Sequence, residues 1–305
     1  MVKLPVSATI IAKNEADRIT RAILSVRDWA GEIIVVDSGS TDQTVSIARS
    51  LGAKTFFHPW RGYGAQKRYA EDQCTNKWIF NIDADEEATP ELIEEIADLF
   101  ANGSPGPKAF AVRTRCIFPF EEKPRRFAIS MVHGRLYHRD FARFRNSTVH
   151  DSIELYGGGR PVLLRNSMNH YIFRSHGHAV EKINSYSSMQ AEDLYRKGRN
   201  PGALKIVLTP AWAFFKAYVL RGYFRYGIDG VIRSHIYAFS RLIRLAKTRE
   251  RFQQERYGAA NNAPAHQSIA VNFEPVESPP KQGEASGHRV SELFRVRSRM
   301  EGAAR

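Results

Sequence analysis

Three short apolar runs, at residues 6–12, 33–36 and 78–82, each stop at a cluster of acids, amides and hydroxyls, and helical spacing separates them. The first ends at Lys13-Asn14-Glu15, the second at Asp37-Ser38-Gly39-Ser40-Thr41-Asp42, the third at Asp83-Ala84-Asp85-Glu86-Glu87. Between the first two lie Ile19, Ala22, Ile23 and Val26, and after the second come Val45, Ile47, Ala48 and Leu51, closed by Gly52. Apolar strands alternating with helices of about 10–15 residues predict a parallel sheet covered on both faces. Such a sheet takes its ligands in the crevice beyond the carboxyl ends of its strands. All three polar clusters fall at that edge.

The third cluster carries its own chemistry. Residues i and i+2 of a strand share a face, so Asp83 and Asp85 are expected to direct two hard oxygen ligands at one spot, which suits Mg²⁺ or Mn²⁺. The alternative is that the acidic run only begins the next helix. That helix already has Thr89 as its N-cap, Pro90 at the first helical position and Glu91 in the first turn, so the acids are surplus to capping. No G-x-G-x-x-G follows the first strand and no G-x-x-x-x-G-K-[ST] occurs, which disfavours a dinucleotide oxidoreductase and a P-loop NTPase.

Ile10-Ile11-Ala12-Lys13-Asn14-Glu15, residues 35–44 (VVDSGSTDQT) and Asp83-Ala84-Asp85-Glu86 resemble the three signatures of family 2 glycosyltransferases, inverting enzymes of the GT-A fold. Residues 59–68 (PWRGYGAQKR) and Val149-His150-Asp151 are similar to the subgroup acting on the lipopolysaccharide inner core, which usually has His-Glu at the last position. Asp151 keeps the carboxylate and shortens its reach by one methylene.

The resemblance implies a role for each matched residue. Asp37, with Ser38 beside it, would accept from the uracil of a UDP-sugar, and Asn14 and Glu15 would line the nucleotide pocket. Asp83 would meet the ribose or the metal, and Asp85 would hold the metal against the diphosphate. Lys67 and Arg68 would face phosphate or donor sugar. Asp151 is the expected general base, with His150 in support. Against each stands a plainer reading: a helix cap for Asp37, a helix N-terminal role for Asn14 and Glu15, a solvated basic face for Lys67 and Arg68, a loop aspartate for Asp151.

Residues 108–178 form the expected acceptor half. Strands at 109–113 and 132–137 flank the basic loop Lys123-Pro124-Arg125-Arg126, and Arg135, Arg139, Arg143 and Arg145 extend the charge, which suits a phosphorylated or carboxylated acceptor. His170-Tyr171 matches the subgroup and would line the acceptor cleft, while His176 and His178 read as surface residues. From residue 179 the chain reads as helical, and residues 201–257 hold eleven Lys and Arg against three acids. Residues 204–220 are apolar, but Lys205, Pro210 and Lys216 interrupt them, so a spanning helix is not expected. Basic, aromatic, amphipathic segments lie in the headgroup plane of anionic membranes. The alternative is a helical subdomain or dimer contact. Residues 258–305, rich in Asn, Pro, Ser, Gly and Gln, read as disordered.

Composition bounds the rest. The 305 residues are 43% hydrophobic and carry a net charge of +13, enough for a substantial core and biased towards anionic partners. Cys74 and Cys116 fit a reducing compartment, and no signal peptide opens the sequence. The expectation is therefore an α/β chain with a doubly wound, mostly parallel GT-A sheet: 1–107 for the nucleotide, 108–178 for the acceptor, 179–257 a membrane-surface helical segment, 258–305 a tail. It would move a hexose from a UDP-sugar to a lipopolysaccharide core or related lipid-linked glycan, with a divalent metal, from the cytoplasmic face of the membrane. A polyprenyl-phosphate glycosyltransferase is the rival enzyme. A nucleic-acid-binding protein is suggested by charge alone, with no motif to support it.

Overall fold

A computed structural model describes residues 2–126, 128–146 and 152–260. The first strand, β1 (Leu4–Ala12), is the axis. Its Val6, Ala8 and Ile10 enter one core, Ile11 packs on the core of the opposite face, and both sets are covered. Helix α1 (Ile19–Arg27) buries Ile19, Ala22, Ile23 and Val26, the residues its spacing singles out. Strand β2 (Ala30–Asp37), helix α2 (Thr44–Ser50) and strand β3 (Lys54–Phe57) follow, then α3 (Tyr63–Asp72), β4 (Trp78–Asn81), β5 (Glu86–Ala88) and α4 (Pro90–Phe100). Thr89 caps α4 as expected, its hydroxyl accepting from Leu92 N at 3.3 Å. The second half gives β6 (Ala109–Ile117), β7 (Ser130–His138), β8 (Ala142–Phe144), β9 (Ile153–Leu155) and β10 (Val162–Tyr171). Helices α5 (His176–Arg196), α6 (Ala203–Phe215) and α7 (Ile228–Ala260) end the described chain.

The main sheet has the order β3-β2-β1-β4-β7-β6-β10-β5. Strands β2, β1, β4 and β3 are parallel, as are β6 and β10, whereas β7 and β5 run against their neighbours. Helices α1, α2 and α4 cover one face through Ile23, Ala48, Leu92 and Ile96. Helix α3 and the β8–β9 hairpin cover the other, around Ala70, Tyr137 and Phe144. This is the mostly parallel, doubly wound sheet of the GT-A kind. The short β5, paired antiparallel with β10, was not foreseen, since three residues of acid and alanine carry no strand signal.

A third apolar cluster ties the helices to the sheet. Cys116 and Phe118 at the end of β6 meet Ala217, Tyr223 and Tyr226 from the link between α6 and α7. That link is a π-turn (Lys216–Leu220) followed by a 3₁₀ turn (Tyr223–Tyr226). Gly230 makes the close approach possible, because a Cβ there would lie 1.8 Å from the Tyr223 carbonyl oxygen.

Helix α7 does not present all of its arginines outward: Arg233 is buried, its guanidinium 3.8 Å from the centre of the Phe118 ring. Its exposed positions include the apolar Ile228, Ile232, Phe239 and Leu242, with Arg249, Glu250 and Arg251 exposed further along. The aromatic cluster accepts the guanidinium through cation–π contact, and the aliphatic side chains are left outside.

Candidate active site

The carboxyl ends of β1, β2, β4 and β10 border a cavity of about 1020 Å³, which α5 closes from the side. Asn14, Glu15, Ser38, Asp83 and Asp85 line it, as the strand-end argument requires. Met131 and His133 of β7 and Lys182 and Tyr186 of α5 complete the wall.

The β1 and β2 ends are locked to each other. Asn14 takes a positive φ of 56°, a conformation asparagine tolerates better than most residues. Its amide oxygen accepts from Thr41 N at 2.8 Å, and its own N–H donates to Ser40 Oγ at 2.8 Å. Asp37 is turned under this loop. Its Oδ2 accepts from Gly39 N at 2.8 Å and Ser40 N at 2.9 Å, and the Ser40 hydroxyl donates to Oδ1. Gly39, at φ +99°, lets the chain wrap the carboxylate. Asp37 is buried and lies behind the cavity wall, while Ser38 is on it. Glu15 accepts from Arg18 at 2.5 Å and from Arg174 at 2.9 Å. Burial raises its pKa in spite of Arg18.

The two aspartates do not share a spot; each has its own cationic surroundings. Asp83 Oδ1 lies 2.8 Å from Lys67 Nζ, and Asp83 Oδ2 lies 3.1 Å from Arg135. Arg135 also donates to Glu86 at 2.5 Å and to Asn81 at 2.9 Å. Burial would raise Asp83, but Lys67 and Arg135 overcome it and hold the carboxyl well below its usual range. Burial pushes Glu86 the other way, up to about 7. Lys67 is therefore neither on a solvated face nor on the cavity wall. It is 1% exposed, its ammonium 3.0 Å from Asn81 Oδ1 and 4.9 Å from the centre of the Phe144 ring. Arg68 donates to the Phe144 carbonyl at 3.3 Å and also lies off the wall. Arg139 and Arg143, read as acceptor contacts, are bound elsewhere: Arg139 to the Cys74 carbonyl at 2.8 Å, Arg143 to Glu71 at 2.7 Å.

Asp85 meets a different set. Its Oδ2 lies 3.5 Å from Arg18 Nη1, 3.5 Å from His170 Nε2 and 3.7 Å from Lys182 Nζ. Against the effect of burial, His170, Lys182 and Arg18 keep Asp85 far below the usual carboxylate pKa. Asp85 in turn outweighs burial at His170 and lifts it to about 10. Tyr186 stacks on Tyr63 with ring centres 5.9 Å apart, and their hydroxyls are hydrogen bonded.

Among the described residues no three His, Cys, Asp or Glu side chains form a metal cluster. The Asp85–His170 pair nevertheless fits a divalent cation. Asp85 offers a carboxylate oxygen, and His170 adds its Nε2 only by releasing the proton that Asp85 holds on it; Mg²⁺ and Mn²⁺ commonly complete their shells with water and substrate phosphate.

Sequence reasoning missed Arg18, Lys182, Tyr186 and the role of Glu86, and it placed His178, which lines the cavity, on the surface. A signal was present, for His178, Lys182 and Tyr186 recur every four residues and so share one helix face. His150 and Asp151 lie outside the described residues. On either side of them, Arg145 N donates to Ser152 O at 3.0 Å, which closes the β8–β9 connection.

Known proteins resemble this chain over most of its length. The sequence profile described as "Glycosyl transferase family 2" matches residues 7–166. An uncharacterized glycosyltransferase of Rickettsia felis is 43% identical over 88% of this chain and 97% of its own length. The lipopolysaccharide core biosynthesis glycosyltransferase LpsC of Rhizobium meliloti is 32% identical over 78% of this chain and 90% of its own. Among solved structures, a glucosyl-3-phosphoglycerate synthase of Mycobacterium tuberculosis overlaps 38% of this chain with 23% identity and a TM-score of 0.30; the overlap spans 44% of that protein.

Proposed function

The chain belongs to glycosyl transferase family 2, and from that premise we propose that it transfers a hexose from a UDP-sugar to a lipopolysaccharide core or related lipid-linked glycan, inverting the anomeric centre. The observation that carries the reading is the meeting of Asp85, His170, Arg18 and Lys182 within 3.7 Å at the carboxyl edge of the sheet. An anionic diphosphate is recognised best where cations converge in a partly dry cleft. Resemblance to the Rhizobium core enzyme supports the acceptor class.

Each part of the cavity then has a task. Asn14, Glu15 and Ser38 take the nucleoside, with Asp37 holding their loop rigid from behind. Arg18 and Lys182 bind the diphosphate and offset the charge that grows on it as the glycosidic C–O bond breaks. A Mg²⁺ or Mn²⁺ ion held by Asp85, with His170 joining once it gives up its proton, would supply Lewis acidity to that departing diphosphate. Lys67 and Arg135 fix Asp83, which faces the ribose. Trp60 and the Tyr63–Tyr186 pair narrow the cavity and exclude water from the donor sugar.

The acceptor hydroxyl attacks the anomeric carbon from the side opposite the diphosphate, and its proton passes to Asp151 as general base. The hairpin that carries this loop is anchored near the donor site, since Phe144 of β8 lies under Lys67. The protein would work on the cytoplasmic side of the membrane, peripherally attached, where a lipid-borne acceptor and a soluble donor meet.

Transfer of radiolabelled hexose from UDP-glucose and UDP-galactose to a purified core acceptor tests the reading. Asp151→Asn is expected to lower kcat by about 10²–10⁴ with little change in donor KM. Unchanged turnover would remove Asp151 from the base role and favour a phosphate acceptor, which needs no base.

A further inference from the structure

The helices that follow the sheet expose the wrong side. In α6 and the π-turn after it, Ala213 and Ala217 are buried, and the exposed large apolar residues are Leu204, Val207, Leu208, Trp212, Phe215, Val219 and Leu220. Leu204 is 72% exposed, Val207 69% and Trp212 58%. The outward stripe of α7 continues the pattern with Ile228, Ile232, Phe239 and Leu242. A water-facing helix carries its charges outside and its aliphatic residues inside. Here Arg233 is buried while an apolar stripe is exposed beside Lys205 and Lys216, and a contiguous exposed apolar patch marks an interaction surface.

A catalytic-domain loop adds to the same surface. Phe120 is 96% exposed and holds a φ of 68°, a left-handed conformation that costs a bulky residue free energy. Two residues earlier, Phe118 packs on Tyr223 and Tyr226 with ring centres 6.1 and 5.8 Å away. Arg125 donates to the Arg225 carbonyl at 3.3 Å. The loop is thereby fastened to the turn between α6 and α7, and it runs on into β7, whose Met131 lines the cavity.

We propose that Phe120, the outward face of α6 and the outward stripe of α7 together form a surface that inserts into the headgroup–acyl boundary of an anionic bilayer, setting the acceptor end of the cavity against the lipid. The inference rests on the lipid-linked acceptor of the preceding reading for its purpose, though not for its evidence. Charge decides the occupant. Lys123, Arg126, Lys205, Lys216, Arg221 and Arg225 are exposed around the apolar residues, the arrangement that binds acidic headgroups while aliphatic side chains enter below them. Residues 203–220 are long and apolar enough to cross a membrane, but they lie on it. Their inner side is packed on α7, and Ala217 is fixed to the sheet through Cys116 and Phe118.

Vesicle co-sedimentation of the full chain tests this without donor or acceptor. Wild-type protein is expected to bind vesicles of phosphatidylglycerol and phosphatidylethanolamine, and much less to pure phosphatidylcholine. Leu208→Glu/Trp212→Glu is expected to weaken binding about a hundredfold, since losing the burial of one large apolar side chain costs roughly a factor of ten. Arg165→Glu, away from the surface with the same loss of charge as a control, should bind as wild type. Failure of wild-type protein to bind, or equal binding by the double variant, overturns the proposal. So does a wild-type dimer that the double variant converts to monomer, which would make the face a contact between two copies. UDP binding by the double variant, measured in parallel, should be unchanged; its loss in wild type as well would sink the donor reading while leaving the vesicle result to stand by itself.

Discussion

Two regions break the ordinary rule that charges stay outside and apolar groups inside, and they break it in opposite directions. At the carboxyl edge of the sheet, Lys67, Arg135 and Glu86 are almost wholly buried, with Asp83 between them. In the α6–α7 hairpin, leucine, valine and tryptophan face outward. The first arrangement is costly to desolvate and survives because every charge there has a partner. The second leaves its apolar side chains open among the described residues. The difference separates buried charges that pair with one another from apolar groups that stay exposed.

Substitution should expose that contrast. Arg135→Met leaves Asp83 and Glu86 buried against a single cation, and a loss of about 3–5 kcal/mol in urea unfolding is expected. Trp212→Glu, in the exposed hairpin, should change the same measurement by less than about 0.5 kcal/mol. Equal losses would erase the distinction between the two regions.

A smaller effect separates the site from the rest of the sheet. Burial would raise Glu32, but hydrogen bonds from Ser7, Lys54 and Thr75 overcome it and pull the carboxyl from 4.5 to about 2. A depressed folded-state pKa adds stability that is whole above the unfolded value and disappears as pH falls through the folded one. Between about pH 4.5 and 2 the melting temperature of Glu32→Gln should therefore fall less steeply than that of wild type. Parallel slopes would assign the acid limb to the cavity carboxylates instead.

The sheet was legible because its signals are local. Apolar runs at 6–12, 33–36 and 78–82 became β1, β2 and β4 in that order, and the Thr89-Pro90 start of α4 depends on neighbours in sequence. The strand-end rule placed Asn14, Glu15, Ser38, Asp83 and Asp85 on one cavity without any view of side chains. What stayed hidden depends on distance along the chain. Arg135 reaches Asp83 across 52 residues, and Lys182 arrives from a helix whose polar face looks like any solvated one. Asp37 was legible as a strand-end acid but not as a loop support, since both readings need the same residue. The burial of Arg233 in α7 was hidden for another reason: periodicity marks two faces, and the aromatic rings of Phe118 and Tyr226 over its guanidinium decide where that side chain goes.

Calorimetric titration of UDP, with and without Mn²⁺, into wild-type protein and Asp85→Ala addresses the central claim most directly. Binding that needs the metal and falls at least about a hundredfold in the variant, with CMP and GDP bound weakly or not at all, is the expected result. UDP binding that ignores both the metal and Asp85 would contradict the placing of the diphosphate at the Asp85–His170 pair.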